Sequence, residues 1–142
     1  MIAGRILSAA LIAAVFIIPS VQAHEHKEAF EGPKQGKHLT FKTLDDIDLK
    51  NEFPGGEGRG FRARYWEIGP KGVVPVHDHT NRPAMIYVVQ GEIYEHRSDK
   101  KEPILYRAGD LSVEAEGVKH WWENRSEKTV ILMGFDIYEK GK

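Results

Sequence analysis

The chain has 142 residues, 41% of them hydrophobic, with 20 basic and 21 acidic side chains and a formal net charge of −1. That length suits one domain with a single core, and the interspersed charges form no basic stripe, so no nucleic-acid partner is expected. Cysteine is absent, which excludes disulfides, a lipid-modified cysteine anchor and any thiolate metal ligand.

Residues 1–23 read as an export signal rather than as fold. Arg5 supplies a short positive segment, Ile6 to Ile18 is apolar but for Ser8, and Val21-Gln22-Ala23 offers small residues where a signal peptidase reads them. The apolar run of thirteen residues is shorter than the about 20 needed to span a membrane. Cleavage after Ala23 is expected, leaving a periplasmic or secreted protein with no stable membrane association. Residues 24–40 are polar, with Gly32, Pro33 and Gly36 among lysines and glutamates, and read as a flexible lead-in. After that cleavage His26 would be the third residue, and with His24 at the free amine this end would suit Cu(II) or Ni(II). A solvated tail with two incidental histidines is the plainer reading.

Residues 41–142 read as one β domain. Leu39, Phe41 and Leu44 suggest a first strand, and Gly55, Gly56, Gly58 and Gly60 mark a loop. Over residues 60–68, Phe61, Ala63 and Tyr65 alternate with Arg62, Arg64 and Trp66, as in a half-buried strand. Strands are expected over 73–79, 84–90 and 92–97, the last two joined at Gly91, then over 103–107, 111–115, 120–124 and 129–138. On the final strand Ile131, Met133, Phe135 and Ile137 share one face and look purely structural. Short strands divided by glycines and charged turns, with no helical period, indicate an antiparallel sandwich or barrel.

His77 and His79 are separated by one residue, so in a strand both imidazoles leave the same face, one that Val73 and Pro75 make apolar. Burying two imidazoles there is costly unless something uses their lone pairs, and a divalent metal would. His120 lies in a similar setting, between Gly117 and Asn124. The alternative is three core histidines bonded to backbone or water.

The pattern Gly72…His77-X-His79…Gly91, then Gly109…Gly117-X-X-His120-X-X-X-Asn124, resembles the two-part signature of the cupin superfamily. The match covers residues 72–124 and, with flanking strands, about 41–139. It implies an all-β fold, a small antiparallel cupin barrel of jelly-roll type, in which His77, His79 and His120 converge on one divalent metal (Fe, Zn, Mn, Ni or Cu). The family's usual glutamate ligand is replaced by Ala84, its usual proline by Ala115, and Gly72 lies one residue closer to His77 than in the commonest form. Without that glutamate the centre would keep the whole +2 of the metal and favour an anionic ligand. Glu67, Glu114 and Glu116 are candidate replacement carboxylates, none at a family ligand position. Arg82, in a turn stiffened by Pro83, and Trp122, on the face of His120, are candidate substrate-binding residues. His38 and His96 match no motif position, and His96 is expected to face solvent.

The resemblance implies a small-molecule ligand and, since three-histidine cupins include non-haem iron dioxygenases, an oxygenase-type activity. The alternative is a cupin that holds a metal or metabolite as a sensor or carrier. No nucleophile–base set stands out, so no catalytic residue is assigned, and a homodimer is an allowed assembly.

Overall fold

A computed structural model describes residues 29–141. The export signal (1–23) and the His24/His26 site lie outside the described residues. Eight strands form the domain: β1 (Lys37–Asp48), β2 (Arg59–Asp78), β3 (Ala84–Gln90), β4 (Glu92–Arg97), β5 (Ile104–Arg107), β6 (Leu111–Glu114), β7 (Lys119–Glu123) and β8 (Val130–Glu139). All pairings are antiparallel, in the order β5-β4-β7-β2-β8-β3-β6 with β1 added to β2, and the sheet curls into a nearly closed barrel. Among the described residues there is no α-helix, and no helix long and apolar enough to cross a membrane. A single 3-10 turn, Leu49–Asn51, had no sequence signal strong enough to expect it; the Asp48 side chain caps it by accepting from the Lys50 N–H.

β2 organises the rest. The strands expected over 60–68 and 73–79 are one 20-residue strand that runs through both halves of the barrel. Its first half, Gly60 to Ile68, pairs with β1 on one side and β8 on the other, while Val73 to Asp78 pairs with β7. β1 begins at Lys37, inside the stretch read as lead-in, because Lys37 to Thr40 already find partners on β2. The chain is tied down earlier still, where the Val76 N–H donates to the Pro33 carbonyl at 2.8 Å. Gly91 is a corner: β3 pairs with β6 and β8, β4 with β5 and β7, so the chain changes sides there. Its φ of 85° and the approach of Val130, 3.0 Å from where a Cβ would lie, both require glycine.

The core comprises Ile68, Val74, Ile86, Val88, Ile93, Trp122, Val130 and Leu132, packed by Leu39, Trp66 and Tyr106. Burying one such aliphatic side chain stabilises the fold by about 1.5–3 kcal/mol. Two strands turn the opposite way from their apolar pattern. On β8 the buried residues are Val130, Leu132, Gly134 and Asp136, so Ile131, Met133, Phe135 and Ile137 occupy the outer face. On β2 the residues in register with Asp136 and its row are Arg62, Arg64 and Trp66, which point inward, and Phe61 is exposed. The barrel interior at this end is therefore polar. Asn124, 1% exposed, clips the opposite end: its amide reaches the Ile68, Gly69 and Lys128 carbonyls, and its oxygen accepts from Ser126.

Candidate metal centre

His77 and His120 are direct cross-strand partners on β2 and β7, which brings their ring centroids to 4.4 Å. His79 follows two residues after His77, its ring 5.1 Å from that of His77 and 5.0 Å from that of His120. The fourth member is Glu114, at the end of β6. One ligand atom from each of His77, His79, Glu114 and His120 lies within 4.8 Å of the others. His79, Glu114 and His120 are fully buried and His77 partly so.

Of the three candidate replacement carboxylates, Glu114 joins the histidines, which corrects the expectation of a centre with three histidines alone. Ala84 does occupy the family's glutamate position on β3, but Glu114 is its register partner on β6, and both are buried on the inner face. The carboxylate therefore enters the same row from the neighbouring strand. Glu67 and Glu116 are not part of the cluster. With Glu114 present, a divalent ion and its ligands would carry a net +1 rather than +2.

The imidazoles are oriented by what their Nδ1 atoms touch. His77 Nδ1 is 2.8 Å from the Pro75 carbonyl and His79 Nδ1 is 2.8 Å from the Arg82 carbonyl. Carbonyls only accept, so each Nδ1 carries the hydrogen and each Nε2 the lone pair. His120 Nδ1 is 2.7 Å from buried Glu95 Oε1, in a network in which buried Ser112 Oγ and partly buried Arg97 Nη1 also donate to Glu95. The three Nε2 atoms remain. Those of His77 and His79 face each other at 3.2 Å, and that of His120 is buried without a partner. With Glu114 Oε2 2.9 Å from the same His79 Nε2, acceptor atoms converge on one point and repel unless they share a cation. Burial pushes the His77 imidazole down to about 4, so near neutral pH the proton is not on His77. The donor set of three imidazoles and one carboxylate suits a divalent transition metal. The residues present thus fit the metal that the fold implies.

Glu114 is held from two sides, with Oε2 2.9 Å from His79 Nε2 and Oε1 accepting from the Trp122 indole N–H at 3.2 Å. Burial alone would raise its carboxyl, but His79 and the other histidines around it hold it below the usual range. The pocket beside the cluster has about 310 Å³ of atom-free space, part of it open to solvent, and is lined by Arg64, Trp66, Val74, His77, His79, Ile86, Glu114, Trp122 and Leu132.

Of the two candidate substrate residues, Trp122 lines this pocket and is also part of the core. Arg82 does not line it. Its guanidinium donates to Asp136 Oδ2 at 3.1 Å and the Asp78 carbonyl at 3.3 Å, and lines a separate opening with Arg62, Thr80, Asn81 and Tyr138. Its backbone serves the centre instead, since the Arg82 carbonyl fixes the His79 tautomer. His96 is not solvated as expected: it stacks on Trp121 with centroids 3.7 Å apart and lies 2.8 Å from Glu123. The sequence reading passed over Glu95, Arg64 and Asp136. The available signal was a charged residue on each strand's inward parity, legible only once the inward face is known.

The Cupin domain family model matches residues 64–138, the stretch that contains every residue of the cluster. The chain belongs to the cupin family. This cupin is 32% identical over 94 residues to the auxin-binding protein ABP19b of Prunus persica, covering 64% of this chain and 45% of that protein. It is 28% identical over 86 residues to germin-like protein 8-14 of Oryza sativa subsp. japonica, covering 58% and 40%. The cupin thus spans less than half the length of these curated relatives. Among solved structures it is similar to the polyketide cyclase RemF from Streptomyces resistomycificus, with a TM-score of 0.60 and 21% identity over 82% of this chain and 80% of that one. An uncharacterised Klebsiella pneumoniae protein with a double-stranded β-helix domain gives a TM-score of 0.56 at 14% identity, covering 74% and 86%. At these identities the structures share the fold.

Proposed function

We propose that this cupin holds one divalent transition metal through His77, His79, Glu114 and His120 and uses it to bind a small anionic molecule, with an oxygenase-type oxidation as its activity. The observation that carries the reading is the disposition of the nitrogens: every Nδ1 is spent on a fixed acceptor, two Nε2 atoms meet at 3.2 Å and the third is buried without a partner. A bound metal supplies Lewis-acid or redox chemistry at the coordination positions the protein leaves open. Glu95 sets the His120 tautomer, Trp122 steadies Glu114, and the apolar walls Val74, Ile86 and Leu132 limit water. The experiment is elemental analysis of protein purified without an affinity tag. About one equivalent of metal is expected, falling severely in His120→Ala; full occupancy in that variant would sink the reading. Oxygen consumption by the metal-loaded protein with candidate substrates then tests the oxidation.

A second reading, binding without turnover, is favoured by one observation: a relative matched over 64% of this chain is named as an auxin-binding protein. Substrate-independent oxygen uptake at background level, with ligand binding retained, would decide for it. We also propose that the protein is exported, from the apolar run ended by Val21-Gln22-Ala23. Intact mass of the exported chain should begin at His24, and retention of residues 1–23 would overturn this. A homodimer through the outer apolar face completes the proposal.

A further inference from the structure

One peptide group on β2 connects the metal centre to the lead-in that precedes the barrel. Val74 pairs with Trp122 and His77 with His120, so Pro75 and Val76 together stand opposite Trp121. This is a β-bulge, and it brings His77 into register with His120. A bulged peptide leaves the ladder, so its polar groups need partners elsewhere. The Pro75 carbonyl turns to His77 Nδ1, 2.8 Å away. The Val76 N–H, on the same planar unit, donates to the Pro33 carbonyl at 2.8 Å.

The lead-in also grips the other side of the bulge. Gly32 lies against Trp121, the residue that faces the bulge from β7, and a Cβ at position 32 would come within 2.5 Å of Trp121 Cδ1. That indole is not free to swing aside. His96 stacks on it with centroids 3.7 Å apart and planes 4° apart, and His96 Nε2 is itself 2.8 Å from Glu123 Oε1. Glycine at 32 therefore lets the chain approach closely enough for the next carbonyl, that of Pro33, to reach Val76. The ring of Pro33 fixes its own φ and stiffens the segment there.

We infer that Gly32 and Pro33 are positioning residues of the metal centre, acting on His77 through the Pro75–Val76 peptide, which rests on the proposed reading of His77 as a ligand. A peptide whose N–H is bonded presents a stronger and better-fixed carbonyl. Docking of the lead-in thus keeps the hydrogen of His77 on Nδ1 and its lone pair on Nε2, the atom 3.2 Å from His79 Nε2. His79 and His120 are oriented independently, by the Arg82 carbonyl and by Glu95. Undocking the lead-in should therefore disturb one imidazole of the three.

Nitrogen NMR of the imidazoles in chelator-treated protein tests this, alongside titration with Co(II) against a competing chelator. In the parent His77 should hold the hydrogen on Nδ1 alone. Gly32→Ala pushes the lead-in off Trp121 and should give His77 a mixture of tautomers, with His79 and His120 unchanged. Partners that orient ligand imidazoles are worth roughly 10–100-fold in metal affinity, so one bond further out a loss of about five-fold for Co(II) is expected. In Trp121→Ala the obstructing ring is gone, and adding Gly32→Ala there should have no further effect on His77. Pro33→Gly clashes with nothing and only loosens the segment; it should move His77 the same way to a smaller extent, and decides the matter should Gly32→Ala not fold. His77 unmoved in both single variants would overturn the inference, as would equal disturbance of all three imidazoles, the mark of general loosening. If the parent takes up no Co(II) while His77 still responds to Gly32→Ala, the hold on His77 stands and the metal reading fails.

Discussion

Glu95 shows how much of the centre is decided by residues that would never touch the metal. It is wholly buried, and its Oε1 fixes Nδ1 of His120 while Ser112 and Arg97 satisfy the rest of the carboxylate. Glu95→Gln keeps the shape but offers a weaker acceptor that can also present a donor to Nδ1. Orienting partners of this kind are worth roughly 10–100-fold in metal affinity, and a loss in that range is expected from chelator competition, with the fold intact by circular dichroism. An unchanged affinity would mean the tautomer is set elsewhere. Asp136 plays the matching part for the arginines. Burial would raise its carboxyl, yet Arg62, Arg64 and Arg82 hold it below the usual 3.8. The unfolded chain therefore binds the extra proton first, so this stabilisation is complete above about pH 4 and is lost as pH falls through the folded value. Urea midpoints should drop on acidification below that point in the parent. Asp136→Asn should remove that step while destabilising the protein at neutral pH by about 3–5 kcal/mol, since three cations lose their counter-charge. A parent whose midpoint is flat with pH there would refute the assignment.

At the level of strands, the centre is a row in which Glu114 on β6, Ala84 on β3 and Asp136 on β8 stand side by side. Ala84→Glu alone should not add a fifth ligand cleanly, because it sets a third carboxylate between two others. Glu114→Ala should cost most of the bound metal, and Ala84→Glu introduced into that variant should recover part of it by moving the ligand one strand across. Elemental analysis of the three variants checks this; equal metal in Glu114→Ala and the parent would remove Glu114 from the site. The same row explains what the sequence disclosed. His77, His79 and His120 were legible because period two and the glycine spacing act along the chain. Ala84 stands at the family's glutamate position and Glu114 was one of three candidate substitutes, but nothing along the chain singled it out: it lies across a strand pairing, and register between β3 and β6 is written in no single segment. The inward faces of β2 and β8 were not legible for a related reason: apolar alternation marks the core side only when the interior is apolar, and here Arg62, Arg64 and Asp136 line it. The strands and the all-β class were legible all the same, since alternation defines a strand whichever face is buried.

Turning the apolar faces outward has a consequence for the whole molecule. Met85, Tyr87 and Val89 on β3 are 50, 42 and 45% exposed, and Leu111 and Val113 on β6 are 50 and 54% exposed. Ile131, Met133, Phe135 and Ile137 continue the surface on β8, where Met85 pairs with Phe135 and Tyr87 with Met133. None of these nine residues is charged, so the surface offers nothing to steer an acidic or basic partner, whereas homodimer interfaces are the more apolar and charge-depleted class. A contiguous apolar patch of this kind is a liability on a monomer, and a two-fold pairing of the same face with itself is the commonest closed solution. Light scattering should therefore give the mass of two chains, with a melting temperature that rises with protein concentration. Met85→Glu combined with Val113→Glu places like charges on both sides of such an interface. Those side chains point away from the interior, so the double variant should be monomeric, lose the concentration dependence and keep its metal. A parent that stays at the mass of one chain at high concentration would refute the dimer, while metal loss in the monomeric variant would show that the centre depends on the second copy.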